Sequence, residues 1–266
     1  MTKVWPILII AILFMAGPAC DWRQDSSRGH PPQKVGILLD SSGKQDIEDV
    51  ASPEAQNQYA TNHGNRMSLG FNRSALWVRF PLSEAPSQGA CVLEVAAPWM
   101  EEVDLYLPKP DGGWLKLSTG LDQPSEFNGM ATGFSIVIPR NTPRTGYAYL
   151  RLRSVLSLNA GLRLWSRPEF FNHATAKGYV FGALYGVMGA MLLVNLIVLL
   201  TTRDKAYLLY ILYLASIIIH QLCLQGQILA LPPDLWPLVP NISLFISSTL
   251  FFFGAAFCRT FLNAKV

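Results

Sequence analysis

An uncharged stretch of 23 residues, from Gly178 to Leu200, constrains this chain more than any other feature; it reads GYVFGALYGVMGAMLLVNLIVLL. A helix needs roughly 20 apolar residues to cross the hydrocarbon core of a bilayer. Two further apolar segments follow it. The sequence therefore predicts a membrane region over residues 178–266 with three transmembrane helices, at about 178–200, 206–225 and 240–258. A soluble enzyme is almost excluded on this ground alone.

The part of the chain before the first span has a different composition. Residues 21–177 contain 16 basic and 16 acidic side chains, so this part is neutral and polar. It is long enough to form one domain with its own core. No basic patch indicates nucleic acid as a partner.

The N-terminus has the pattern of a secretory signal. Residues 1–19 combine a positive start at Lys3, an apolar stretch and small residues before Cys20, so we expect cleavage there. A retained anchor helix is the alternative, and Cys20 could also carry a lipid. Residues 20–34 are polar and contain proline, which predicts a flexible leader.

Residues 35–167 contain about eight short runs in which apolar and polar residues alternate, separated by turn residues. Cys91 lies on the apolar side of one run and is predicted to be a small buried hydrophobe. This pattern predicts an all-β antiparallel sandwich of the jelly-roll type. Residues 168–177 then link the sandwich to the α-helical transmembrane segments. The predicted strands are Val35–Leu39, Ala75–Leu82, Cys91–Ala96, Val103–Leu107, Trp114–Leu117, Phe134–Ile138, Tyr147–Arg153 and Leu162–Trp165.

Charge in the loops predicts the orientation. The loop after the first span contains Arg203 and Lys205, the loop over residues 226–239 contains no lysine or arginine, and Arg259 and Lys265 follow the third span. Positive loop charge marks the cytoplasmic side. We therefore expect the N-terminal domain outside the membrane and the C-terminus in the cytoplasm.

No motif indicates catalysis. The four histidines are scattered and none has metal-ligand spacing. Phosphate-binding, nucleophile-elbow and Cys-x-x-Cys motifs are absent from the sequence. We expect no enzyme activity, no catalytic residue, no metal and no cofactor.

Aromatic and arginine side chains on the polar sides of the strands are the candidates for ligand binding. Aromatic faces stack on sugar rings, and arginine orients hydroxyl or carboxylate groups. Trp77 and Arg79 rank first, because they lie opposite the apolar side of their strand. The alternative is that the aromatics fill a core and the arginines are solvated. The candidates are Trp77, Arg79, Trp99, Tyr106, Trp114, Arg151 and Arg153.

Glycine recurs at every fourth position of the first span, at Gly178, Gly182 and Gly186. Missing side chains on one helix face let another helix approach closely. This row predicts helix packing, either within a bundle or with a partner that receives the signal. Asn195 in the same span is predicted to point into a bundle, because a polar side chain avoids lipid.

These patterns together resemble a known family. Residues 35–266 resemble the bacterial seven-transmembrane receptors with diverse intracellular signalling modules. The front part resembles the type-2 extracellular domain of this family. In the front domain the resemblance is carried by Leu76-Trp77-Val78-Arg79-Phe80, Leu93-Glu94-Val95, Val103-Asp104-Leu105-Tyr106, Asp111-Gly112-Gly113-Trp114 and Tyr149-Leu150-Arg151. In the membrane region it is carried by Gly182-x-x-x-Gly186, Leu192-x-x-Asn195-Leu196, Arg203-Asp204-x-Ala206-Tyr207-Leu208 and Phe257-x-Arg259-x-Phe261-Leu262.

The resemblance implies a sensor in the bacterial inner membrane, with a periplasmic jelly roll that binds a carbohydrate or another small molecule. The helices would pass the signal to a cytoplasmic output or a partner, with a helix-mediated homo-oligomer as one form of partner. Three of the family's seven spans precede Val266, so we expect a truncated receptor without its output module. Two other functions stay open: a non-catalytic assembly module, and an inert receptor remnant.

Overall fold

The computed structural model describes residues 29–62, 66–71, 74–86, 89–122, 133–154, 157–227 and 232–262. In this part, ten antiparallel strands form two sheets. The six-stranded sheet has the order β2-β1-β4-β9-β6-β7, and the four-stranded sheet has the order β3-β10-β5-β8. The strands are β1 Val35–Asp40, β2 Ala60–Asn62, β3 Arg66–Phe71, β4 Ala75–Pro81, β5 Cys91–Val95, β6 Glu102–Pro108, β7 Trp114–Thr119, β8 Phe134–Ile138, β9 Tyr147–Arg153 and β10 Ser157–Ser166.

The core lies between the two sheets and follows the predicted alternation. In β4, the side chains of Leu76, Val78 and Phe80 are buried in this core, while Trp77 and Arg79 point to the other side, as the period of two requires. The four-stranded sheet contributes Cys91, which is fully buried. Burial raises the pKa of the Cys91 thiol to about 11, so the prediction of an inert buried hydrophobe is confirmed. The two sheets form the predicted antiparallel sandwich.

Four elements around the sandwich were not predicted from the sequence. Strands β2 and β3 extend the two sheets at their edges. Helix α1, Ile47–Ala51, follows β1 and is capped by Asp46, whose side chain accepts a hydrogen bond from the Asp49 N–H at 3.1 Å. A short 3₁₀ helix, Ala55–Gln58, comes next. The segment between β1 and β2 thus has its own structure and lies over the outer face of the six-stranded sheet.

The predicted leader is only partly described, and its described part is held in place. His30 exchanges two backbone hydrogen bonds of 2.9 Å with Leu164 in β10, and Gly29 lies directly against the ring of Trp165. This end of the predicted leader is therefore attached to β10 through an isolated bridge at His30. The predicted signal peptide, residues 1–19, and Cys20 lie outside the described residues.

Helix α2, Arg167–Thr202, runs without interruption from the end of β10 through the first predicted span. The predicted linker, residues 168–177, forms its first turns. A helix of this length is about 54 Å long at 1.5 Å per residue, whereas the hydrocarbon core is about 30 Å thick. About 24 Å of α2, or roughly 16 residues, therefore extends beyond the hydrocarbon core. The part before the uncharged stretch packs against the sandwich through Phe170, His173 and Lys177.

The three predicted spans are helices in the structure. Besides α2, they are α3 Lys205–Leu224 and α4 Val239–Phe261, and all three are long and apolar enough to cross a membrane. The α2–α3 turn places Arg203 in the left-handed region at φ 55°, and Asp204 caps α3 through the Ala206 N–H at 2.9 Å. The α3–α4 connection contains a 3₁₀ helix, Pro233–Leu238.

Candidate functional site

The outer face of the six-stranded sheet carries most of the predicted ligand-binding residues. The strand register places them in two rows across β4, β9, β6 and β7. One row contains Trp77, Arg151, Asp104 and Ser118. The next contains Arg79, Tyr149, Tyr106 and Lys116. Because side chains two residues apart share a face, Trp114 and Tyr147 continue this surface at its edge.

Trp77 is buried on this face and is not exposed as the sequence interpretation assumed. Its exposed fraction is 0%, since α1 covers it and Ile47 and Val50 pack beside it. Its Nε1–H is buried and has no hydrogen-bond partner among the described residues, which costs about 1–3 kcal/mol. The outer-face cluster comprises Ile47, Val50, Tyr59, Trp77 and Tyr149, with Leu38, Ala51, Tyr106 and Trp114 packed against it.

Arg79 lies between two aromatic rings beside this cluster. Its guanidinium carbon is 4.2 Å from the centre of the Tyr59 ring and 5.2 Å from that of Tyr147. Its Nη1 donates a hydrogen bond to Oε1 of Gln56. Gly36 makes room for this arrangement, because a Cβ at this position would lie 2.7 Å from Nε of Arg79. Arg79 is partly exposed. The two rings therefore hold its guanidinium in a fixed place that solvent can reach.

The aromatic rings near Arg79 form close pairs. The ring centres of Trp77 and Tyr106 are 5.5 Å apart, and Trp114 meets Tyr149 edge-on at 5.3 Å. The Tyr149 hydroxyl accepts a hydrogen bond from Nε2 of Gln56 at 3.0 Å. Burial raises the pKa of Tyr106, and the nearby carboxylate of Asp104 adds to this. The Tyr106 phenol is therefore a neutral hydrogen-bonding group near pH 7.

Charged side chains adjoin the aromatic rings on the same face. Arg151 donates to Glu102 at 2.7 Å and to the Gly43 carbonyl at 3.1 Å, which holds the covering segment down. Asp104 pairs with Lys116 at 3.0 Å. Burial lowers the pKa of Lys116, but the hydrogen bond and charge of Asp104 outweigh this and raise it overall. Lys116 therefore stays protonated and can donate to a ligand.

Two of the predicted residues lie apart from the aromatic rings. Arg153 is exposed at the end of β9 and pairs with Glu102 at 3.1 Å. Trp99 lies in the turn between β5 and β6, where its carbonyl accepts a hydrogen bond from the Ser154 hydroxyl at 3.0 Å. The structure gives neither side chain a ring contact with the outer-face cluster within the described residues. Of the seven candidates, Trp77, Arg79, Tyr106, Trp114 and Arg151 are brought together.

The candidate list from the sequence missed five residues of this face: Gln56, Tyr59, Lys116, Tyr147 and Tyr149. Tyr147 and Lys116 alternate with the apolar residues of β9 and β7, so the same pattern could have found them. Gln56 and Tyr59 reach the face only because the segment after β1 folds back over the sheet. No local signal in the sequence indicates that fold.

The described residues contain no group of three or more histidine, cysteine, aspartate or glutamate side chains that could hold a metal ion. On the outer face, Arg151 pairs with Glu102 and Lys116 pairs with Asp104. The expectation of a non-catalytic chain stays a prediction.

The glycine row of the first span is not packed against α3 or α4. A Cβ added at Gly178, Gly182 or Gly186 would have nothing within 4 Å. The face of α2 that contacts α3 instead includes Met188. Asn195 is buried, and its Nδ2 donates to the Met191 carbonyl at 2.7 Å. The row is therefore no seam between the three described helices, and its contact with another helix stays a prediction.

The sequence did not predict the close contact between helices α3 and α4. A Cβ at Gly254 would lie 3.1 Å from the ring of Tyr213, so this glycine lets the two helices approach. His220 and Ser247 make a polar contact of 3.3 Å across the same pair.

Two family models match the chain. Residues 32–166, just over half of the chain, match the family described as 7TMR-DISM extracellular 2. Residues 177–266 match the family described as 7TM diverse intracellular signalling. No curated protein matches the chain. The two matches cover the sandwich and the membrane helices in the order that the sequence resemblance implied. The chain therefore belongs to the seven-transmembrane receptors with diverse intracellular signalling modules, and it combines their extracellular domain with helices of their membrane region.

Proposed function

We propose that the outer face of the six-stranded sheet binds a small ligand, with carbohydrate as the leading class. The observation that carries the proposal is the stack of Tyr59, Arg79 and Tyr147. It holds a partly exposed cation in a fixed place, and 43% of Tyr147 is exposed. Exposed aromatic rings pack on sugar rings, while a fixed guanidinium hydrogen-bonds hydroxyl or carboxylate groups.

The position of Trp77 refines the proposal. A ligand on the surface as described would contact Tyr147, Arg79, Trp114 and Lys116, and would reach Trp77 only after α1 moved away. Trp77 therefore supports the face from below. The proposed contact residues are those at the open edge.

The proposal extends to the direction of signalling. The sandwich is the periplasmic sensor, its fold is a jelly roll, and the helices pass the signal to a cytoplasmic output module. No catalytic step is assigned to the chain. The charge pattern of the loops supports this orientation, with Arg203 and Lys205 on the cytoplasmic side.

The test is a thermal-shift screen of the full chain in detergent with neutral and acidic mono- and oligosaccharides. A ligand at 100 times its Kd stabilises the folded state by about 2.7 kcal/mol, so a true ligand gives a clear increase in melting temperature. We expect Arg79→Ala to remove the shift. Arg140→Ala is the matched control, because Arg140 is an exposed loop residue outside this face. If no compound shifts the melting temperature, or both variants retain the shift, this face is not the carbohydrate site.

A further inference from the structure

The loop between α3 and α4 contains a buried tryptophan that packs against the apolar cluster of the sandwich. Trp236 lies in the 3₁₀ helix Pro233–Leu238, and only 3% of it is exposed. It belongs to the same contiguous apolar cluster as the residues between the two sheets. Its neighbours Leu235 and Leu238 are 43% and 50% exposed. The burial is therefore specific to Trp236, whose side chain packs against the sandwich.

A second attachment joins the sandwich to α2 through different residues. Phe170 in the first turn of α2 is fully buried against Trp165 and Val92 on the outer side of the four-stranded sheet. The Trp165 ring stacks on His173 with centres 4.5 Å apart. These contacts fix the start of α2 to the sheet.

A buried ion pair strengthens the second attachment. Glu94 in β5 is 1% exposed and accepts a hydrogen bond from Nε1 of Trp165 at 2.9 Å. Its other oxygen lies 3.7 Å from Nζ of Lys177, at the end of the part of α2 that stands above the membrane. A buried carboxylate without its cation is strongly unfavourable, so this pair resists separation of α2 from the sheet.

We propose that Trp236 is a positioning residue that couples the packing of the sandwich core to the α3–α4 pair. The sandwich would then act on the membrane helices at two places, on α2 through its covalent link and on α3–α4 through Trp236. Because a close-packed core transmits displacement, a shift between the sheets moves Trp236 and tilts α3–α4 relative to α2. The inference rests on the proposed sensor role for its purpose, but the contact and its test need no ligand.

Coupling of this kind acts in both directions. A change in the α3–α4 loop must therefore alter the sandwich, and a change in the sandwich must alter the helix ends. An ordinary loop contact would affect only the loop itself. This difference separates a coupling residue from a merely structural one.

The experiment is hydrogen exchange, read by mass spectrometry, on the full chain in lipid nanodiscs. We compare the wild type with Trp236→Ala, with Trp236→Phe, which retains an aromatic ring, and with Leu235→Ala as the exposed matched control. We expect Trp236→Ala to accelerate exchange about tenfold both in the sandwich strands and at the adjoining ends of α3 and α4, through more frequent local opening. Trp236→Phe should restore most of the protection, and Leu235→Ala should change neither region.

Faster exchange confined to residues 232–238 in Trp236→Ala would overturn the proposal, as would an equal effect of Leu235→Ala. If Trp236→Ala does not fold, Trp236→Phe decides the matter, because partial loss of packing must then weaken protection in both regions. The result is independent of the carbohydrate screen. Failure of one therefore does not imply failure of the other.

Discussion

At the level of single residues, Trp77 shows how a side chain on a polar face can be part of a core. It is fully buried under α1, where it packs against Ile47 and Val50 of that helix. Replacing a buried tryptophan by alanine typically costs about 3–5 kcal/mol. We therefore expect Trp77→Ala to destabilise the sandwich by this amount, as measured by the midpoint of chemical unfolding of the full chain.

Trp114→Ala is the comparison for this prediction. Trp114 is only partly buried and meets Tyr149 edge-on, and an aromatic pair of this kind contributes about 1 kcal/mol. A loss of stability for Trp77→Ala no larger than that for Trp114→Ala would contradict the packing of α1 over the sheet.

The same residues show how far the sequence predicts the candidate site. Alternation along β4 and β9 correctly separated the inward side chains from Trp77, Arg79 and Tyr149, because a strand has a period of two. Alternation cannot tell whether an outward face is covered, since the cover comes from a distant part of the chain. The burial of Trp77 and the contact of Tyr59 with Arg79 both depend on the fold of residues 41–59.

At the level of secondary-structure elements, the sequence predicted long elements better than short ones. The three spans were found from their apolar length, and eight strands were found from their alternation, although the six-residue strand β3 was missed. Helix α1 has five residues and β2 has three, which is too few to show a helical or strand period. The continuity of α2 through residues 168–177 was missed because the helix changes from a surface that packs on the sandwich to one that faces lipid.

The open glycine row of α2 leads to a prediction at this level. Nothing lies within 4 Å of a Cβ added at Gly182 or Gly186, and leucine has a higher helix propensity than glycine. The double variant Gly182→Leu, Gly186→Leu should therefore keep the melting temperature of the detergent-solubilised monomer or raise it slightly. The size of any native membrane complex, measured by light scattering in detergent, should fall if this row is its interface.

Gly254→Leu is the contrasting variant, because a Cβ at Gly254 would already lie 3.1 Å from Tyr213. We expect this substitution to separate α3 from α4 and to lower the melting temperature. A complex that keeps its size in Gly182→Leu, Gly186→Leu would count against the assembly module as a function.

At the level of the whole molecule, the position of Trp236 and the charges of the loops both bear on which segments lie on which side of the membrane. The packing of Trp236 against the apolar cluster of the sandwich requires the 3₁₀ helix Pro233–Leu238 and the sandwich to lie on one side of the membrane. Three spans then place the Arg203–Asp204 turn on the other side. The positive charges of Arg203 and Lys205 predict that this other side is the cytoplasm. The two arguments are independent, since one is packing and the other is charge.

Single cysteines labelled from outside intact cells test this arrangement. We expect Ser41→Cys, beside α1, and Asp234→Cys, in the α3–α4 loop, to react with a membrane-impermeant maleimide above the wild-type background, because both positions are exposed. Thr202→Cys, at the α2–α3 turn, should react only after the membrane is permeabilised. Labelling of Ser41→Cys and Asp234→Cys from opposite sides would contradict the packing of Trp236 against the sandwich. Labelling of Thr202→Cys alone in intact cells would instead retain that packing and reverse the orientation, because the packing fixes which segments share a side and only the charges predict which side it is.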